Sequence, residues 1–116
     1  MTRLCLFLDL VDDAALIAEY RTLHEPGRVP GAVIASIQNR GYEAMEIWNV
    51  ADRLVMVIEK RDMVISTDEG HVDLSDPDVV AWEKRMDDFQ RQLPHALEPI
   101  KWAVGEKIFD LNEHKN

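Results

Sequence analysis

The sequence predicts an α+β fold in which one antiparallel sheet is covered by helices on a single face. Apolar stretches with the density or alternation of strands recur along the chain, and stretches with the 3.6-residue spacing of amphipathic helices separate them. The chain has 116 residues, which gives room for one domain, 1–116, and one hydrophobic core.

The chain begins with a predicted strand and a predicted helix. Residues 3–10 form a dense apolar run, and Asp12 and Asp13 follow it as candidates for a helix N-cap. The helix is expected to reach His24, because a Pro-Gly pair at 26–27 then interrupts the pattern. A strand that leads directly into a helix is therefore the first unit of the fold.

A second helix and a hairpin are predicted next. Residues 32–40 have apolar residues at helical spacing, and Gly41 is typical of the position just after a helix C-terminus. Residues 45–48 and 54–59 are strand-like and flank a short polar turn at 51–53.

The rest of the chain predicts a loop, a third helix and a last strand. Residues 60–74 are polar and acidic, as in surface loops. The Ser-Asp-Pro segment at 75–77 places proline at or near the first position of a helix. Residues 102–111, after a linker that contains prolines, predict the last strand. The apolar stripe of the third helix comprises Val79, Trp82, Met86, Phe89 and Leu93.

The predicted order is strand, two helices, two strands, helix and strand, which matches the split βαβ arrangement. Helices then cover one face of a four-stranded antiparallel sheet. The other face would leave a large apolar surface exposed on a monomer, which is unusual. We therefore expect a homodimer in which a second copy covers that face, and a ligand pocket between the sheet and the helices.

Composition and charge narrow the classes of partner. The formal net charge of −9 argues against nucleic acid and against an anionic membrane surface, because both attract clustered Lys and Arg. A small neutral ligand is compatible with this charge. Cys5 is the only cysteine, and the apolar run at the start of the chain is too short for a signal peptide or a membrane span. We expect a cytoplasmic protein.

Tyr20 and His24 are the strongest chemical candidates. They are four residues apart on a helix face that also carries Leu16 and Ile17, so their polar groups point inward and need partners. The helix C-terminus favours a positive charge on His24, and histidine is the side chain that exchanges protons near neutral pH. The alternative interpretation is that His24 only caps the helix and Tyr20 only fills the core.

Other residues carry weaker signals. The stretch 68–73 collects carboxylates and one histidine, but it lacks the length and alternation of a calcium loop and is interpreted as a solvated acidic loop. His95 and His114 lie in a linker and a polar tail and are assigned no role. Trp48 and Trp102 are interpreted as strand aromatics at the sheet or dimer face.

Two spaced motifs point to a known family. They are Tyr-x-x-x-His at 20–24, after the first strand, and Trp-x-x-x-Met at 82–86, on the last helix. With these motifs the chain resembles the L-rhamnose mutarotase family over residues 4–111, and most of all the branch associated with L-fucose and related deoxy sugars. In that family the fold is a ferredoxin-like α+β unit that dimerises through its sheets as an α+β barrel. The resemblance implies neither a metal nor an organic cofactor.

The resemblance also implies roles for individual residues. His24 matches the family's proton donor, Tyr20 a sugar-contacting tyrosine, and Trp82 an aromatic sugar contact. Met45 and Glu83 stand where rhamnose enzymes have aromatic pocket residues, which implies a different sugar. The implied substrate is a neutral 6-deoxyhexose, L-fucose or L-rhamnose.

Interconversion of sugar anomers needs proton transfer but no redox or nucleotide chemistry. A proton leaves the anomeric hydroxyl, another reaches the ring oxygen, and rotation about C1–C2 in the open aldehyde precedes reclosure. His24 and Tyr20 are the predicted catalytic residues: His24 suits the proton transfer, and Tyr20 can donate to a sugar hydroxyl or relay the proton. Trp82 offers a flat apolar face to the pyranose. Pro-Gly-Ala at 30–32 replaces the Trp-Pro-Glu that is usual in the family and removes a large side chain beside His24.

Two alternatives remain open at this point. Small monooxygenases and haem-degrading enzymes are built on similar sheets, and a non-catalytic ligand-binding or regulatory module can use the same fold. The sequence has no haem-binding constellation, which counts against the first alternative. An inward histidine suited to proton transfer counts against the second.

Overall fold

Helices and strands follow one another in the order predicted from the sequence, with an additional short strand and a final 3-10 turn. The computed structural model describes residues 2–60, 76–94 and 101–114. Their elements are β1 (Thr2–Leu10), α1 (Ala14–Leu23), α2 (Gly31–Asn39), β2 (Tyr42–Val50), β3 (Arg53–Lys60), α3 (Pro77–Asp87), β4 (Gln90–Arg91), β5 (Ala103–Val104) and a 3-10 turn (Leu111–His114).

The described strands form one antiparallel sheet. Its order is β2-β3-β1, and both β4 and β5 pair with the remaining edge of β1. Strand β4 lies beside Asp9 and Leu10, whereas β5 lies beside Leu6 and Phe7. The predicted α+β class and antiparallel sheet are confirmed. The single edge strand of the prediction is instead two short strands, so the sheet has five described strands and not four.

Local sequence signals mark where α1 and α3 begin and where the chain leaves α2 for the sheet. Asp13 caps α1 by accepting a hydrogen bond from the backbone N–H of Leu16 at 3.0 Å, and Asp76 caps α3 through the N–H of Asp78 at 2.8 Å. Gly41 has a φ of +87° between α2 and β2, a conformation that a residue without Cβ adopts at little cost.

The hydrophobic core lies between the sheet and the helices. Alternate side chains of β1 point into it, since Leu6, Leu8 and Leu10 are each 1% exposed. Residues from the helices complete this core, so the helices cover one sheet face. On the opposite face, Trp48 and Val50 of β2 are 62% and 71% exposed.

Helix α3 is shorter than the sequence pattern predicts. The apolar stripe continues to Phe89 and Leu93, but the helix ends at Asp87. Asp87 and Asp88 are unfavourable at the negative end of the helix dipole. The chain turns there, Phe89 enters the core at 1% exposure, and β4 gains hydrogen bonds from β1. The prediction that Phe89 and Leu93 continue the helix is therefore wrong.

The last strand is also shorter than the predicted range of 102–111, because only Ala103–Val104 pair with β1. The N–H of Gly105 still donates to the carbonyl of Cys5 at 2.7 Å. Beyond it no described strand lies alongside, and Ile108 and Phe109 are 93% and 63% exposed. An apolar pattern forms a strand only where a neighbour supplies backbone hydrogen bonds.

Several sequence predictions concern residues outside the described part of the chain. These are nearly all of the loop 60–74, which includes the acidic stretch 68–73, and His95. His114 is described, and its ring stacks on that of Phe109 with 4.9 Å between centroids. No helix within 2–60, 76–94 or 101–114 is long and apolar enough to cross a membrane.

Candidate active site

A cavity of about 520 Å³ lies between the sheet and the helices. This volume is within the range of about 300–1,000 Å³ that is typical of small-molecule sites. Its walls come from all three helices, from β1 to β4, and from the residue that precedes β5. All five residues singled out from the sequence line it, namely Tyr20, His24, Met45, Trp82 and Glu83.

The last turn of α1 brings Tyr20 and His24 together. Their ring centroids are 4.3 Å apart, and Nδ1 of His24 lies 2.7 Å from the backbone carbonyl oxygen of Tyr20. A carbonyl oxygen only accepts hydrogen bonds, so Nδ1 carries the proton in this contact. His24 thus caps the helix, as one interpretation of the sequence expected, and its Nε2 remains as the nitrogen that can bind or release a proton.

Tyr20 carries a neutral phenol in this site. Its side chain is almost completely buried, and this burial raises the pKa of Tyr20 to about 12. A hydrogen bond from Nε2 of Gln90, 3.1 Å from the phenolic oxygen, lowers the pKa, and the charge of Glu83 raises it. Because the phenolic oxygen accepts from Gln90, its own hydrogen can be donated to another group.

Trp82 extends the aromatic wall from α3 towards His24. The two ring centroids are 5.3 Å apart and the ring planes are inclined at 68°, an edge-to-face contact. The indole is partly buried and also contacts the core, so core packing and a surface for a ligand are compatible in this one side chain.

Glu83 follows Trp82 on α3 and is held by a lysine from the C-terminal part of the chain. Nζ of Lys101 lies 2.5 Å from Oε2 of Glu83 and 2.7 Å from Oδ1 of Asp87. Burial alone would lower the pKa of Lys101, but its hydrogen bonds to Asp87 and Glu83 outweigh this and raise it. Lys101 therefore remains charged at neutral pH, and its two carboxylate partners compensate that charge.

Met45 contributes a side chain to the cavity wall, whereas residues 30–32 do not line the cavity. Met45 lies on β2 opposite Ile58 of β3, so it contributes an apolar side chain from the sheet. Pro30 and Gly31 form the start of α2 and are exposed, and the wall beside them is formed by Val29.

Comparison with known proteins connects this cavity to a reaction. A sequence model of the family described as L-rhamnose mutarotase matches residues 3–111. The chain belongs to this family. A relative described as L-fucose mutarotase, from Xanthomonas campestris pv. campestris, is 42% identical over 113 residues, which are 97% of this chain and 90% of that protein.

Membership of the mutarotase family defines the class of activity. The protein is an isomerase that interconverts the anomers of a sugar. This decides against the monooxygenase and against the non-catalytic binding module. Among the described residues, no three His, Cys, Asp or Glu side chains lie close enough together to bind a metal ion.

Three cavity or near-cavity residues of this mutarotase were missed from the sequence: Gln90, Lys101 and Trp102. Trp102 is 7% exposed and lines the cavity, whereas the sequence interpretation gave it only a packing role at the sheet or dimer face. It precedes β5 and packs into the core between the sheet and the helices. No spacing rule connects these residues to Tyr20, because the short strands β4 and β5 bring them there only through pairing with β1.

Proposed function

We propose that this mutarotase acts on L-fucose or a related neutral 6-deoxyhexose such as L-rhamnose, and that His24 transfers the proton. The relative named L-fucose mutarotase supports L-fucose as the first candidate. The resemblance described for the sequence, in which Met45 and Glu83 stand where rhamnose enzymes have aromatic pocket residues, implies a sugar other than L-rhamnose and also supports this choice.

The contact between Nδ1 of His24 and the carbonyl of Tyr20 carries the proposal for His24. In the proposed reaction, protonated Nε2 donates to the ring oxygen, the anomeric hydroxyl gives its proton to water, and the C1–O5 bond breaks. The aldehyde rotates about C1–C2. Reclosure returns one proton to Nε2 and takes another from water, so that acid and base roles are exchanged.

The remaining wall residues are proposed to bind the sugar without changing their own protonation. Tyr20 donates a hydrogen bond from its neutral phenol, and Glu83 accepts one from a sugar hydroxyl. The indole of Trp82 and the side chain of Met45 contact the C–H face of the pyranose. All four side chains line the same cavity as His24, which supports this division of roles.

Replacement of His24 tests the proposal. We expect His24→Gln to lower the enzyme-dependent rate of anomer exchange by about 10²- to 10⁴-fold, the usual contribution of a positioned acid or base. Exchange NMR of L-fucose and L-rhamnose measures this rate directly. His114→Gln is the matched control, because His114 is exposed and does not line the cavity. Equal loss in the two variants, or no loss in His24→Gln, would remove His24 from the mechanism.

We also propose that the protein is a homodimer in the cytoplasm. Its two copies would associate through the sheet face that the helices leave uncovered and would form a dimeric α+β barrel. The exposed apolar side chains Trp48 and Val50 on that face support the dimer. Cys5 is a free thiol, which supports a reducing compartment.

A further inference from the structure

The ion pair between Lys101 and Glu83 joins two parts of the chain that are distant in sequence. Glu83 lies on α3, and Lys101 lies just before Trp102 and β5. The side chains are 24% and 19% exposed, so the contact is largely sheltered from solvent. A sheltered ion pair with a 2.5 Å contact holds its partners in a defined geometry much better than an exposed pair does.

The Glu83 carboxylate is only partly used by this contact. Lys101 bonds Oε2, and no described residue donates a hydrogen bond to Oε1. A carboxylate accepts about four hydrogen bonds, two at each oxygen. Since Glu83 lines the cavity, the acceptor positions that the described residues leave unused can serve a hydroxyl group of a bound sugar.

We infer that Lys101 is a positioning residue, which holds the Glu83 carboxylate in the orientation that accepts a hydrogen bond from a sugar hydroxyl. The inference rests on the proposed role of Glu83 in binding a neutral sugar. A glutamate without this partner has several rotatable bonds to immobilise when the ligand arrives, whereas the paired glutamate is already ordered. Lys101 also compensates a negative charge that is felt at the hydroxyl of Tyr20.

This role makes a specific kinetic prediction. A sugar hydroxyl away from the reacting bonds is held equally in the ground state and in the transition state. The loss of the hydrogen bond that holds it therefore raises KM and leaves kcat nearly unchanged. We expect Lys101→Met to raise KM for L-fucose about tenfold, which corresponds to the loss of roughly one good hydrogen bond. Lys101→Arg should keep KM for L-fucose close to that of the wild type, because it retains the positive charge and the hydrogen-bond donors.

Two control variants separate positioning from general stabilisation. Lys84→Met makes the same change on an exposed part of α3 and should leave KM unchanged. Asp87→Asn weakens the second contact of Lys101 but leaves the pair with Glu83 intact, so it should also have little effect on KM. Thermal unfolding of each variant reports any loss of stability separately.

A double-mutant cycle with Glu83→Gln completes the test. If Lys101 acts through Glu83, Lys101→Met adds no further increase in KM to that of Glu83→Gln. The inference would be overturned if the increases in KM of the two single variants added up in the double variant. It would also be overturned if folded Lys101→Met had an unchanged KM, whatever its melting temperature. Lys101→Gln provides the same comparison if Lys101→Met does not fold. Failure of the wild-type protein to accelerate exchange of any neutral deoxyhexose would instead overturn the proposed substrate, and the role of Lys101 with it.

Discussion

In the proposed mechanism, the ring of His24 has a structural task and a chemical task. Nδ1 satisfies a carbonyl oxygen at the end of α1, and this bond holds the imidazole in one orientation beside Tyr20 and Trp82. Helix capping is therefore compatible with the proposed proton transfer. The bond that caps the helix also determines which nitrogen is left for the sugar.

Tyr20 gives the protein a characteristic response to alkaline pH. Its pKa is raised from 10.0 to about 12 in the folded state, so the unfolded chain loses this proton first as the pH rises. The stability associated with the neutral phenol is complete below pH 10 and is lost as the pH rises through about 12. A difference of about two pKa units between the folded and unfolded states corresponds to about 2–3 kcal/mol in the free energy of unfolding. We expect the free energy of unfolding to fall over this interval.

Urea denaturation between pH 9 and pH 12 tests this response, with Tyr20→Phe as the informative variant. Its free energy of unfolding should decline less steeply than that of the wild type. Tyr42→Phe removes the other tyrosine and should keep the steep decline, because Tyr20 is still present. If Tyr20→Phe and wild type decline in parallel, the phenol of Tyr20 does not retain its proton as described.

At the level of elements, one buried carboxylate connects three strands. Asp9 of β1 is 2% exposed, and its Oδ1 accepts a hydrogen bond from Nε of Arg53 on β3 at 2.8 Å. Arg91 on β4 approaches Oδ2 at 3.8 Å. Loss of a partner from a buried carboxylate is costly, because the remaining charge is poorly solvated.

We therefore expect Arg53→Met to lower the melting temperature more than Arg91→Met does. Arg53 makes the short contact with Asp9, whereas Arg91 has a long one and bonds Asp52 instead at 3.1 Å. Circular dichroism melts of the two variants at pH 7 measure the difference. A larger effect of Arg91→Met would mean that β4, and not β3, depends most on Asp9.

The elements that could be predicted from the sequence are those determined by local signals. Asp13 and Asp76 cap helices, Gly41 ends one, and β1 alternates between core and outer face. Strand β4 and the short length of β5 could not be predicted, because both strands extend only as far as they pair with the free edge of β1. Likewise the four-residue spacing on α1 indicated Tyr20 and His24, whereas the contact of Lys101 with Glu83 depends on long-range packing.

At the scale of the whole molecule, a single chain leaves several large apolar side chains exposed to solvent. Trp48 and Val50 are exposed on the sheet face opposite the helices, and Ile108, Phe109 and Leu111 are exposed after β5. A chain with a net charge of −9 repels its own copies, so association has to come from burial of such apolar surface.

The proposed homodimer is tested by placing a charge on either side of the molecule. Wild-type protein at micromolar concentration should sediment with about twice the mass of one chain, and Trp48→Asp should shift it towards the monomer, because a buried unpaired carboxylate opposes association. Val80→Asp is the matched control, since Val80 is an exposed apolar residue on α3, on the helix side. It should remain dimeric. A monomeric wild type would contradict the dimer, and dissociation by Val80→Asp but not by Trp48→Asp would move the interface from the sheet to the helices.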